Sequence, residues 1–143
     1  MVVCVISDLT RRRERQKELQ DNLNAQKVIG AILRLSLEPL QLEEFLQQTL
    51  ELILDLPWLA VQKRGAIFVV EDEPGVLVMK AQHQLSPALL THCDRVECGT
   101  CLCGRAAATR ETIFADDLDH RHETLYDGIE PHGHYCVPIV TDE

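Results

Sequence analysis

Leu42, Phe45, Leu46, Leu50, Ile53 and Leu54 recur three or four residues apart between Pro39 and Pro57, the spacing that lines one face of an α-helix. The prolines bound that helix on either side. Ahead of it, Asp8 and Thr10 offer capping oxygens to Arg11–Leu19, a polar run rich in good helix formers. Counting alternately four and three from Leu19 gives Leu19, Leu23, Gln26, Gly30, Leu33, Leu37 and Leu40, of which five are leucine. That is a coiled-coil-like seam with two interruptions, and it predicts either a dimerising linker helix or a helix folded back on its own domain.

Beyond Pro57 the period changes. The apolar runs Gly65–Val70 and Val76–Ala81 flank Glu71-Asp72-Glu73-Pro74-Gly75, which predicts two antiparallel strands and a turn. Ser86-Pro87 has the cap and first residue of another helix. Gly104–Arg110 is helical in composition, Thr112–Ala115 is strand-like, residues 116–128 are a polar excursion, and Tyr135–Val140 returns to strand. Val2–Ile6 is a short β-rich run at the start. The order predicts an α+β class, with one antiparallel sheet flanked by helices and preceded by a linker helix.

A length of 143 residues fits one ordinary domain with an extra helix, and 45% hydrophobic against 4% aromatic residues predicts an aliphatic core. Charge is distributed unevenly. Residues 1–35 carry seven Lys and Arg against four Asp and Glu, whereas residues 36–143 carry seven against nineteen. An acidic body repels phosphate backbones, so nucleic acid is not expected as a partner, and Arg11-Arg12-Arg13 reads as a solvated helix face. The apolar runs fall short of a membrane span, so no membrane contact is expected. Six cysteines without an export signal predict a reducing, cytoplasmic setting.

Candidate chemistry lies in two runs. Cys98, Cys101 and Cys103 fall within six residues, and His132, His134 and Cys136 follow about thirty residues later. Thiolates and imidazoles suit transition metals, Cys98-x2-Cys101 is a recurring metal-binding interval, and His132, His134 and Cys136 share one face of an extended chain. These six are the expected metal ligands, with zinc, an iron–sulfur cluster or another transition-metal cofactor as occupant. Haem ranks behind these, because Cys-x-x-Cys-His is absent. Two other readings stay open: a thiol redox switch using Cys98, Cys101 or Cys103, and buried cysteines around a pocket for an organic ligand. His122 and Tyr126, in the polar excursion, are expected to join Cys98, Cys101, Cys103, His132 and His134 in lining a cofactor pocket, since such loops often cover one. Cys4 and Cys93 read as small buried hydrophobes.

The helix Phe45–Leu56, the strand Gly65–Val70, the turn Gly99-x-Cys101-x-Cys103-Gly104-Arg105-Ala106 and the strand Tyr135-Cys136-Val137-Pro138-Ile139 together resemble the GAF domain, a small sensory module of signalling proteins, over residues 38–140. The two cysteines of the glycine-bounded turn suggest a cysteine-rich subfamily. Val2–Ile6 with Asp8-Leu9-Thr10 resembles the closing strand and exit motif of a PAS domain. These resemblances imply a PAS tail at residues 1–8, a signalling linker helix at 9–37 and a GAF domain at 38–143. They imply a non-enzymatic regulatory sensor of redox state, metal or a small ligand, dimeric through the linker, in a bacterial histidine kinase or diguanylate cyclase. The alternatives are a free-methionine-sulfoxide-reductase-like enzyme and a module that only dimerises.

Overall fold

The computed structural model describes residues 9–57, 59, 62–126 and 128–140. Val2–Ile6, which carry the PAS resemblance, and Cys4 lie outside the described residues. The chain divides into two compact units, residues 1–63 and 64–143.

The first unit is a pair of helices, α1 (Thr10–Leu35) and α2 (Leu42–Leu54). In α1, Arg11 to Gln20 are all exposed, and no described residue of the helix is fully buried. Ala25, Val28, Ile32 and Leu35 are half-buried at helical spacing, and Ala31 and Leu35 share a groove with Gln48 and Leu52 of α2. This end of α1 folds against α2. Ser36 and Leu37 close it with backbone N–H groups bonded to Ile32 and Arg34, and Pro39 blocks continuation. On α2 most of the expected stripe points inward: Leu50 and Leu54 are buried and Phe45, Leu46 and Ile53 half-buried, whereas Leu42 at the helix start is exposed. Glu43 and Glu44 in its first turn complement the helix dipole.

The second unit opens with β1 (Gly65–Val70) and β2 (Val76–His83), paired antiparallel around a turn in which Gly75 takes φ +86°. β2 pairs on its other side with β3 (Arg95–Glu97). Between them lies α3 (Pro87–His92), whose cap is the anticipated one, with Ser86 Oγ accepting from Leu89 N–H at 3.3 Å. Then come α4 (Cys101–Thr109), β4 (Ile113–Ala115) and β5 (His134–Cys136), the last two antiparallel.

Three expectations need correction. The strands form a three-stranded sheet β1-β2-β3 and a separate two-stranded sheet β4-β5 rather than one sheet. β3 was not anticipated, because three residues reading polar, apolar, polar are too short to display a period. The final strand ends at Cys136 rather than Val140, since Pro138 has no N–H for a ladder. The α+β class with antiparallel sheets and flanking helices stands.

The core of this unit joins Leu77, Val96 and Cys101, with Phe68, Cys93, Cys98, Cys103 and Ala107 packed against them. α4 begins three residues earlier than expected, which draws the cysteine run into its first turn. Gly104 permits the approach. A Cβ there would lie 2.1 Å from the Glu97 carbonyl oxygen, so no other residue fits without moving β3. Leu102, at 1% exposure, is the most completely buried large side chain, a burial that stabilises by about 1.5–3 kcal/mol.

Candidate functional site

β5 explains how the site is built. Successive side chains alternate across a strand, so His134 and Cys136 share one face and Tyr135 takes the other. There it meets Phe114 of β4 edge-on, with ring centroids 6.2 Å apart. His134 pairs in register with Ala115, and Gly133 just before it runs hard against β4, where a Cβ would stand 2.7 Å from the Ala115 carbonyl oxygen. The absent side chain lets His132 and His134 come close, with ring centroids 4.7 Å apart.

The third imidazole comes from the polar excursion. His122 is 6% exposed, and its ring centre lies 4.9 Å from that of His134 and 5.4 Å from that of His132. One ligating nitrogen from each of His122, His132 and His134 lies within 4.8 Å of the other two. Among the described residues, this is the group of His, Cys, Asp and Glu that meets the geometry of a metal site.

Hydrogen bonding distinguishes the engaged ring nitrogens from the unpartnered ones. His132 Nδ1 lies 2.6 Å from the Glu130 carbonyl oxygen, a contact in which the ring donates. That sets the tautomer and leaves Nε2 with a free lone pair. His132 Nε2, His134 Nε2 and His122 Nδ1 are all buried and without a hydrogen-bond partner. An unsatisfied buried nitrogen costs about 1–3 kcal/mol, a cost that a shared ligand would recover. A divalent cation satisfies all three at once. Tetrahedral zinc holds nitrogens about 3.4 Å apart at Zn–N distances of about 2.0–2.1 Å, closer than the 4.8 Å within which these three lie. The protonation state agrees. Burial pushes His122 and His134 below the usual imidazole range, and the neighbouring rings lower His122 further, while the Asp119 carboxylate partly opposes the effect at His134. Neutral imidazole is the ligand form.

Two anchors hold His122. On one side its N–H donates to the Asp119 carbonyl at 2.9 Å, and the Asp119 carboxylate grips the Arg121 guanidinium, which also reaches the Phe114 carbonyl. That grip holds the Asp119 carboxyl down at about 2. On the other side Glu123 and Thr124 clasp the start of α4. Glu123 Oε2 accepts from Cys101 N–H at 2.7 Å, and Cys101 Sγ accepts from Glu123 and Thr124 N–H at 3.2 and 3.4 Å. Glu123 thereby caps a helix whose first turn has no acid of its own. The Cys101 N–H, followed by the Arg105 guanidinium at 2.7 Å, holds its carboxyl below the usual range. Cys101 itself takes φ +54°, a left-handed conformation rare outside glycine.

The six expected ligands thus fall into separate sets. His132 and His134 join His122 rather than the cysteines. Cys101 is an acceptor for the loop, and Cys98 packs beside Leu77 and Val96. Cys103 and Cys136 meet each other, sulfur to sulfur, at 3.7 Å. Their mutual hydrogen bond, together with burial, pushes the Cys103 thiol well up, and the same hydrogen bond, against the opposing effect of burial, pulls Cys136 down. Tyr126 stacks on His92, with centroids 6.3 Å apart. Cys93 is half-buried, and burial raises its thiol. The Glu123–Thr124 clasp had no sequence signal beyond loop polarity, and nothing in the spacing of His122 joined it to His132 and His134.

The family model for the GAF domain matches residues 39–143, and the chain belongs to that family. No curated protein and no solved structure matches the chain. GAF domains are in general regulatory and sensory modules rather than catalysts, and this chain is a module of that kind. Among the described residues no helix is long and apolar enough to cross a membrane.

Proposed function

We propose that this GAF domain senses a divalent transition metal, zinc first among them, bound by His122 Nδ1, His132 Nε2 and His134 Nε2. Two observations support the reading: one ligating nitrogen from each of His122, His132 and His134 lies within 4.8 Å of the other two, and each of these rings carries a buried nitrogen without a hydrogen-bond partner. An all-imidazole donor set suits zinc, copper, nickel or iron, and it disfavours an iron–sulfur cluster, which asks for thiolates. Three protein ligands leave a fourth position for water or an exchangeable ligand, the arrangement of an open rather than a closed zinc site. Zinc titrated into chelator-treated protein and followed by calorimetry should bind at one ion per chain. His122→Ala should abolish stoichiometric binding, and undiminished uptake by that variant would refute the assignment.

The output runs through α1 as a dimeric helix. Leu19, Leu23 and Leu33 on the heptad seam are 64%, 47% and 62% exposed while the opposite stripe meets α2, and this supports a second copy as the occupant of that seam within α1, which ends at Leu35 before the expected Leu37 and Leu40. Sedimentation of Leu19→Asp/Leu33→Asp should show a shift toward monomer, and an unchanged mass would remove the helix from the dimer. The PAS-like residues 1–8 support a place in a multidomain signalling protein of the histidine kinase or diguanylate cyclase type.

A further inference from the structure

We propose that Cys103 and Cys136 are a modification site at which a hydroperoxide-class oxidant forms a reversible disulfide between α4 and β5. The inference stands on the thiols alone and does not depend on metal at the histidines. The two sulfurs are 3.7 Å apart although the residues are 33 apart in sequence. Each belongs to a regular element, the first turn of α4 and the end of β5, and these two elements pack on each other. A disulfide needs sulfurs at about 2.05 Å, so they must close by about 1.7 Å, a shift within the reach of side-chain rotation when the backbones are already neighbours. Both residues are half-buried rather than sealed. The nearby thiols are engaged otherwise: Cys101 Sγ accepts from the Glu123 and Thr124 backbone, and Cys98 packs against the apolar cluster.

The chemistry balances with one peroxide per disulfide. One thiol, as thiolate, attacks a peroxide oxygen. The O–O bond breaks, the sulfur becomes a sulfenic acid and the other oxygen leaves as hydroxide, which takes up the proton released when the thiolate formed and becomes water. The second sulfur then attacks the first, the S–S bond forms as the S–O bond breaks, and the departing hydroxide takes the second thiol's proton to become another water. Two thiols are oxidised by two electrons and one hydroperoxide is reduced. The bond closes a loop that contains His122, His132 and His134.

The test uses the whole chain, treated with chelator and then with one equivalent of hydrogen peroxide at neutral pH. Thiols are alkylated under denaturing conditions, and peptides are mapped by mass spectrometry with fragment ions assigning each sulfur. The titratable thiols should fall by two from six, with Cys103 linked to Cys136, and dithiothreitol should restore all six. Cys103→Ser and Cys136→Ser should each lose the link, and Cys4→Ser should keep it. Because the linked peptide is read in the wild-type chain, the test does not depend on the serine variants folding. An unchanged thiol count, linkage of either residue to Cys98 or Cys101, or sulfinic acid at either position would overturn the proposal.

Discussion

The histidines of the β5 edge and the cysteines of the α4 turn are both dense in metal-ligand side chains, and both lie in the same compact unit, yet they end in opposite states. Around α4 the ligand atoms are used up. Cys101 Sγ accepts two backbone N–H groups, Cys98 packs into the apolar cluster, and Cys103 is hydrogen-bonded to Cys136. At the β5 edge, three imidazole nitrogens are buried and bonded to nothing. Ligand density alone therefore does not mark a site. Lone pairs that folding has removed from water and left unsatisfied, on rings whose nitrogens also lie near one another, make the better candidate, because their desolvation has already been incurred and a ligand would recover it.

The sharpest way to break the comparison is to remove one residue from each side. His134→Ala should weaken zinc binding by more than about 100-fold, beyond the usual effect of losing a supporting residue, while Cys98→Ser should leave affinity and stoichiometry unchanged. Calorimetric titration of both variants checks this, and equal losses would place the cysteine back among the ligands.

A smaller effect should come from the clasp that joins the two regions. Glu123→Ala removes the acceptor for Cys101 N–H and for Arg105, which frees the loop next to His122 without touching an imidazole. Zinc affinity should fall about tenfold, as for a residue that orients a ligand, and the stoichiometry should stay at one. An affinity equal to wild type would show that His122 is held by its Asp119 side alone.

The smallest effect is the pH dependence of the metal-free protein. His122 and His134 have folded-state values below the ordinary imidazole value of about 6.5, so below that pH the unfolded chain binds more protons than the folded one. Stability is then full above about pH 6.5 and declines as pH falls toward the folded values. Urea denaturation midpoints should drop between neutral and mildly acidic pH in the wild type and drop less in His122→Ala. An identical slope in the two proteins would contradict the burial of His122 as the cause.

The legible parts of the fold were those with a local cause. The α2 stripe, the hairpin around Gly75 and the Ser86-Pro87 helix start each follow from a period or a cap within a few residues. The division of the strands into two sheets had no such cause, and neither did β3, whose three residues gain strand character only by pairing with Val76–Val78. In the site, the spacing of His132, His134 and Cys136 predicted one shared face of an extended chain, but β5 begins only at His134, so His132 reaches the cluster from the loop before it, and the pattern also extended the expectation to the cysteine run. Cys136 does share the face, yet its sulfur meets Cys103 across 33 residues of chain.

By itself, then, the sequence determined the longer secondary elements, the aliphatic core, the acidic body and the presence of two ligand-rich runs, all properties of composition and short-range periodicity. Tertiary structure alone decided which ligand atoms remain available. Close approach at Gly104 and Gly133, the clasp of Glu123 and Thr124 on Cys101, and the folding of His122 onto the β5 edge depend on contacts between distant residues. Whether a thiol or imidazole ends satisfied or unsatisfied is set by the partners such contacts bring, and short-range spacing does not encode them.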